Sequence, residues 1–284
     1  MDTAQAGKRI IVALDVDNVE EAISLVEQLS PFVGLFKVGF EFIYSMLVEL
    51  ITLDWDESSH KLQRIRHLFE LLKGRVLLDV KLNDIKNTVE GASRAITKLG
   101  VSMFNVHCLG GSAMMKGAVA AVREVAESAS LEERPKIFGV TLLTTLDYDA
   151  LVEIGIMEEL NILDPDELAG IKRDRMENFI VRHLAWLAQE CGLDGVIASA
   201  LEAEAIRRYC QPEFLVATPG IRPGWAATDD QKRILNPGDA IRAGSDFVII
   251  GRPIRKPPEG IGNPADAAKR IAEEIAEALA EKES

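Results

Sequence analysis

Eight short apolar runs recur along the chain, and the segments between them carry helical spacing. Few folds accept that alternation. The runs are Arg9 to Asp15, Leu35 to Gly39, Arg75 to Lys81, Val101 to His107, Lys136 to Leu143, Asp194 to Ser199, Phe214 to Ala217 and Phe247 to Ile250. Several are apolar at consecutive positions, as strands of a parallel sheet covered by helices must be. Between the first two runs, Val19, Ala22, Ile23, Val26 and Leu29 form one helical stripe that Pro31 closes. Phe40 to Leu53, Ser112 to about Ser128, Glu202 to Tyr209 and Pro264 to about Glu281 read as helices too, and Asp147 to Glu190 is long and helical. The pattern predicts an α/β fold, a single (β/α)8 TIM barrel with residues 1–284 in one domain. A doubly wound open sheet would want a glycine fingerprint after the first strand, and Asp15-Val16-Asp17-Asn18 is not one. Two stretches look like elaborations of barrel connections, near residues 54–66 and 147–178.

A formal net charge of −13 argues against nucleic acid as a partner, because phosphate backbones are held by clustered Lys and Arg and the chain has no such stripe. A small anion needs only a local nest of N–H groups and one or two cations, so it stays open as a ligand. The N-terminus lacks an apolar signal core, and no run reaches the roughly 18 to 20 residues of a membrane span. A cytoplasmic protein with no membrane contact is expected. Cys108, Cys191 and Cys210 are odd in number and widely spaced, which predicts free thiols, and four histidines without zinc-site spacing predict no metal.

In a barrel the C-terminal ends of the strands converge on one site. The predicted ends carry Asp15, Lys37, Asp79 with Lys81, His107, Thr144, and Gly251-Arg252. A satisfied structural histidine is the expected reading of His107. The densest stretch is Asp79-Val80-Lys81-Leu82-Asn83-Asp84-Ile85. A strand's period of two points Asp79 and Lys81 to one face, and Asn83 or Asp84 is placed to cap a helix whose one side carries Asp84 and Thr88. Alternating lysines and carboxylates in a water-poor pocket keep each ammonium charged, so Lys81 suits proton donation to a developing carbanion better than Schiff-base chemistry. Gly251 and Arg252 follow the last strand, where barrels often bind phosphate. The Gly/Pro-rich segment from Thr218 to Gln231 has the punctuation of a functional lid.

Taken together, Asp79 to Ile85, Ala13-Leu14-Asp15, Phe36-Lys37-Val38-Gly39, Val140 to Thr144, Thr218-Pro219-Gly220-Ile221-Arg222-Pro223, Asp230-Gln231 and Ile250-Gly251-Arg252-Pro253 resemble orotidine 5'-phosphate decarboxylases. The resemblance implies a homodimeric barrel that converts orotidine 5'-monophosphate to UMP and CO2, the last step of de novo pyrimidine synthesis, without metal or organic cofactor. By the same resemblance, Lys81 would stabilise and protonate the carbanion, Asp79 would face the departing carboxylate, and Asp15 and Lys37 would hold the ribose hydroxyls. Asp84, Ile85 and Thr88 would reach into the neighbouring subunit's site. Thr144 would contact the pyrimidine, Pro219 would line its pocket, and Gln231, Gly251 and Arg252 would grip the phosphate. A metal-dependent sugar-phosphate decarboxylase of the same suprafamily shares DxKxxD, but there an acidic residue would be expected where Lys37 stands. A catalytically silent phosphate-binding barrel is the remaining alternative.

Overall fold

The computed structural model describes residues 2–52, 55–158, 170–172, 179–226 and 235–283, with backbone alone at 55–59 and 283. Eight parallel strands close on themselves: β1 (Ile10–Ala13), β2 (Leu35–Gly39), β3 (Val76–Leu82), β4 (Met103–His107), β5 (Lys136–Val140), β6 (Gly195–Ile197), β7 (Leu215–Thr218) and β8 (Phe247–Ile250). Closure is made by β8 lying parallel to β1, with Ile11 opposite Ile249 and Val12 opposite Ile250. The expected TIM barrel is therefore the fold. Two apolar layers hold it together. Outward residues such as Val12, Val38, Phe104 and Val216 pack under the helices, while Ile11, Leu35, Leu77, Met103 and Phe138 fill the barrel interior.

That inward register positions the site. Two residues beyond Leu35 comes Lys37, two beyond Leu77 comes Asp79, and two beyond Met103 comes Asn105, so the interior changes from apolar to charged towards the strands' C-terminal ends. At the opposite end, polar staples tie strands together. The Asp194 carboxylate accepts from the Ile137 N–H at 2.8 Å and pairs with Arg134, and Asp246 accepts from the Val216 N–H at 2.8 Å and pairs with Arg207.

Several boundaries differ from those read in the sequence. The fifth strand ends at Val140 rather than Leu143: the Thr141 N–H makes the last ladder bond, to the Ile197 carbonyl, which the Thr141 hydroxyl meets as well. Of the stretch read as an elaboration near 54–66, residues 55–66 lie in one continuous helix, Trp55–Leu71. It buries Leu68, and Leu72 directly after it, and it pairs Arg64 with Glu20 of the helix Val19–Leu29. The helix after β3 begins at Lys86 with Ile85 in the cap position, so neither Asn83 nor Asp84 caps it. Asp84 instead accepts from the Ile85 N–H at 2.6 Å. Within 147–190 the helices Tyr148–Glu153 and Arg182–Glu190 are described, residues 170–172 are helical as well, and most of 159–178 lies outside the described residues.

Candidate active site

At the C-terminal mouth of the barrel four side chains form a line of alternating charge. The Lys37 ammonium donates to Asp15 Oδ1 at 2.9 Å and stands 3.3 Å from Asp79 Oδ2, and the Lys81 ammonium donates to Asp79 Oδ1 at 2.7 Å. Adjacent strands supply it: Ala13 of β1 is opposite Lys37 of β2, and Gly39 of β2 is opposite Asp79 of β3. Burial by itself would push the Asp79 carboxyl up; the Lys37 and Lys81 ammoniums outweigh it and hold the group below the usual carboxylate range. Burial would likewise lower Lys37, but Asp79 and Asp15 outweigh it and raise the group above an ordinary lysine. Both are therefore charged through neutral pH. Such a chain survives inside a protein because each ion has an opposite neighbour within hydrogen-bond reach.

β3 does not reach this geometry as a regular strand. Leu78 pairs with Phe104 and Leu82 with Val106, so the three residues Asp79, Val80 and Lys81 face the single residue Asn105. Lys81 has φ +41°, in the left-handed region that side-chain-bearing residues rarely adopt. Asp79 and Lys81 do share one side, as a strand's period of two implies, but a bulge is what presents them.

Two adjoining cavities open on the line. One, of about 160 Å³, is walled by Lys37, Asp79, Lys81, Leu142, Thr144 and Pro219. The other, of about 420 Å³, is walled by Asp15, Lys37, Pro219, Gly220, Arg222, Gly251, Arg252 and Arg255. Lys37 and Pro219 belong to both walls, so a single ligand could lie with one end beside Lys81 and the other among the arginines. A larger cavity of about 660 Å³ opens at the other end of the strands, beside Ser102, Arg134 and Asp194. Its Arg134 and Asp194 satisfy one another, so size alone does not select the site.

Asp15, Lys37, Asp79, Lys81, Thr144, Pro219, Gly251 and Arg252 thus gather at one mouth, although Thr144 stands on the loop beyond β5 rather than on the strand. Asp84, Ile85 and Thr88 do not join them within one chain: all three are exposed beside the mouth, Ile85 to 72%. Gln231 lies outside the described residues. His107 ends β4, and burial, then the Lys81 charge, lower its pKa, so the ring is neutral at neutral pH. Its Nδ1 is buried with no hydrogen-bond partner among the described residues.

The model of the orotidine 5'-phosphate decarboxylase / HUMPS family matches residues 8–271. The chain belongs to this family. Orotidine 5'-phosphate decarboxylase from Moorella thermoacetica is 42% identical over 95% of this chain and 93% of its own length, and that from Syntrophomonas wolfei is 40% identical over 96% and 100%. Among solved structures, orotidine 5'-phosphate decarboxylase from Lactobacillus acidophilus superposes with a TM-score of 0.66 at 30% identity, covering 94% of this chain and 98% of that one. The barrel superposes on that structure over nearly the whole chain.

Sequence reading missed three features of the site. Asn105 is buried and bonds both Asp79 and Lys81. A lone amide inside Met103-Phe104-Asn105-Val106 was its visible signal, since a buried Asn requires partners. Arg222 and Arg255 add guanidinium groups to the wall already holding Arg252, and their neighbours in the sequence gave no indication of which way they turn.

Proposed function

We propose that this chain decarboxylates orotidine 5'-monophosphate to UMP and CO2, without metal or organic cofactor, as the last step of de novo pyrimidine synthesis. The carrying observation is the line Asp15–Lys37–Asp79–Lys81 at the mouth of the barrel. Breaking the bond between C6 and its carboxylate leaves the electron pair on a vinylic carbon with no ring position to take it up. The Lys81 ammonium supplies positive charge where that pair develops and then donates a proton to C6; the neutral amine regains a proton from solvent. Asp79 sets the position of this ammonium and faces the leaving carboxylate. The enzyme must supply something near the upper end of the roughly 8 to 23 kcal/mol typical of catalysis, and charge fixed in advance in a water-poor site is the source that fits these residues.

The rest of the substrate follows the two cavities. Thr144 and Pro219 border the pyrimidine, Asp15 and Lys37 hold the ribose hydroxyls, and Gly251 and Arg252, with Gln231, grip the phosphate. A dianion suits a wall that carries three guanidinium groups. Binding energy from the phosphate is then available to hold the ring against Lys81.

The functional unit is a homodimer in which Asp84, Ile85 and Thr88 complete the partner's site. Their exposure beside the mouth supports this, as does an apolar stripe on the helix Phe40–Thr52, which follows β2, where Phe40, Tyr44, Leu47, Val48 and Ile51 are exposed at helical spacing. The whole chain acts as one catalytic domain, and the segments near 54–66 and 147–178 elaborate its connections. Its place is the cytoplasm, which the free thiols Cys108, Cys191 and Cys210 support. No helix among the described residues is long and apolar enough to cross a membrane.

A metal-dependent sugar-phosphate reaction is the rival within the family, and Lys37 separates the two. Its ammonium, 2.9 Å from Asp15 and 3.3 Å from Asp79, fills the place between two carboxylates that a divalent cation would otherwise take. The test is loss of orotate absorbance when EDTA-treated protein meets orotidine 5'-monophosphate, with Lys81→Ala as control. Turnover by the wild type, with none by the variant, is expected. Turnover only after Mg2+ is restored, or equal turnover by both proteins, would overturn the reading.

A further inference from the structure

We infer that Asn105 is a positioning residue for the decarboxylation, a clamp on the β3 bulge that fixes Asp79 and Lys81 relative to each other. This rests on the catalytic reading of those two residues given above. The bulge leaves three β3 residues opposite one residue of β4, with Lys81 at its end, and it is a side chain that the Lys81 N–H meets there. Asn105 Oδ1 accepts from that N–H at 2.6 Å, while Asn105 Nδ2 donates to Asp79 Oδ1 at 2.7 Å. Asp79 Oδ1 is also the oxygen that receives the Lys81 ammonium. One amide thus joins the backbone of the proton donor to the carboxylate that orients its side chain.

The neutral amide does both jobs here at any pH. The N–H of Lys81 requires an acceptor and the Asp79 carboxylate requires a donor, which also sets the orientation of the Asn105 amide. A hydroxyl is too short to span both partners, an aliphatic side chain offers neither bond, and an ionised carboxylate would repel Asp79. Asn105 is fully buried and flanked by the apolar residues Phe104 and Val106, so water does not replace it without a cavity opening. Left-handed backbone at a lysine persists only where surrounding bonds hold it, and this amide supplies one such bond on the lysine itself.

The test compares Asn105→Ala and Asn105→Asp with wild type. Misplacing a reacting group by about 1 Å can cost on the order of a hundredfold, so Asn105→Ala is expected to lose about that in kcat, with KM moved far less because the phosphate wall is untouched. Asn105→Asp carries a sharper signature. Protonated, the introduced carboxyl has one O–H to give Asp79 and a carbonyl oxygen for the Lys81 N–H, reproducing the amide; ionised, it has no donor and sets a second negative charge against Asp79. Lys37, Lys81 and His107 are the other titratable groups nearby, and the β5 residues opposite β4 in this stretch, Phe138 and Gly139, carry no charge. The ratio of Asn105→Asp to wild-type kcat should therefore be near one at the acid end and fall by up to about tenfold per pH unit above the introduced group's pKa. Taking the ratio cancels titration of the substrate phosphate. A flat ratio overturns the proposal, whether activity is retained or lost at every pH, because a flat loss marks general packing. Wild-type kcat in Asn105→Ala overturns it as well. If that variant does not fold, as judged by circular dichroism, the pH ratio decides alone. Lys81→Ala, assayed alongside, keeps the two readings apart: wild-type turnover there overturns the catalytic reading and this one with it.

Discussion

Two positions after Lys37, Gly39 closes β2, and a methyl group built there would stand 2.9 Å from the Lys37 ammonium and within 4 Å of the Asp15 and Asp79 carboxylates. The missing side chain leaves room for the charged line. In Gly39→Ala the ammonium is the atom free to yield, being the end of a flexible chain, so the barrel should stay folded while the charges separate. A fall in kcat of tenfold or more, at roughly unchanged melting temperature, is the expected outcome. Steady-state kinetics with a thermal melt would check it, and unchanged kcat would mean that the place of the Lys37 charge does not matter. At the same scale Cys108 shows what a buried polar atom becomes without a partner of opposite charge. Burial pushes its thiol up to about 12, which leaves it inert, whereas Asp79 in a similarly enclosed place is held charged by two lysines.

Each strand is divided by function along its length. Ends towards the helix C-termini carry staples such as Arg134–Asp194, and ends towards the helix N-termini carry Asp15, Lys37, Asp79 and Lys81. Capping follows the same need to satisfy backbone groups. In the helix Ala200–Tyr209, the Ser199 hydroxyl accepts from the Leu201 N–H at 3.4 Å, and the fully buried Glu202 accepts from the Ser199 N–H at 3.0 Å. A buried glutamate is thereby bound to backbone instead of left as an isolated charge. Ser199→Ala should cost about 1 kcal/mol, and Glu202→Ala more, because it strands a buried N–H and opens a cavity. Urea midpoints at constant m-value would measure both, and an unshifted midpoint for Glu202→Ala would show that the box contributes nothing. The helix Lys86–Lys98 has no side-chain cap at all. Its start instead leaves Asp84 and Ile85 exposed, consistent with a segment used by another chain.

For the whole molecule the decisive question is whether a site is complete within one chain. If Asp84 serves the partner's site, Lys81→Ala and Asp84→Ala are each inactive alone but complementary when mixed. In a hybrid dimer both defects fall in one site and the other is intact, so random exchange of subunits should return about a quarter of wild-type activity. No recovery, with hybrids demonstrated by mass spectrometry, would place Asp84 within its own chain's site or outside catalysis. The apolar stripe from Phe40 to Ile51 supplies a surface on which such a pairing can rest, and a charge introduced there by Leu47→Glu would be the direct way to separate the subunits.

The amino-acid sequence by itself determined the barrel and most of its mouth. Strand runs and helical stripes are local periodicities, and the order of strands follows from short right-handed connections, so nothing distant has to be known. Asp15, Lys37, Asp79 and Lys81 were legible because each ends an apolar run, where an unpaired charge would be costly and so signals a use. Tertiary structure alone decided the rest. That β3 bulges, that Lys81 takes a left-handed backbone, and that Asn105 fills the gap all depend on the register between two strands, and register is a relation between segments that neither contains. Thr144 reaches the site from a loop, and Arg222, after β7, meets Arg252 and Arg255 of the short helix Arg252–Arg255 at one wall, for the same reason: which wall these side chains line depends on how distant segments pack together, not on their neighbours in the chain.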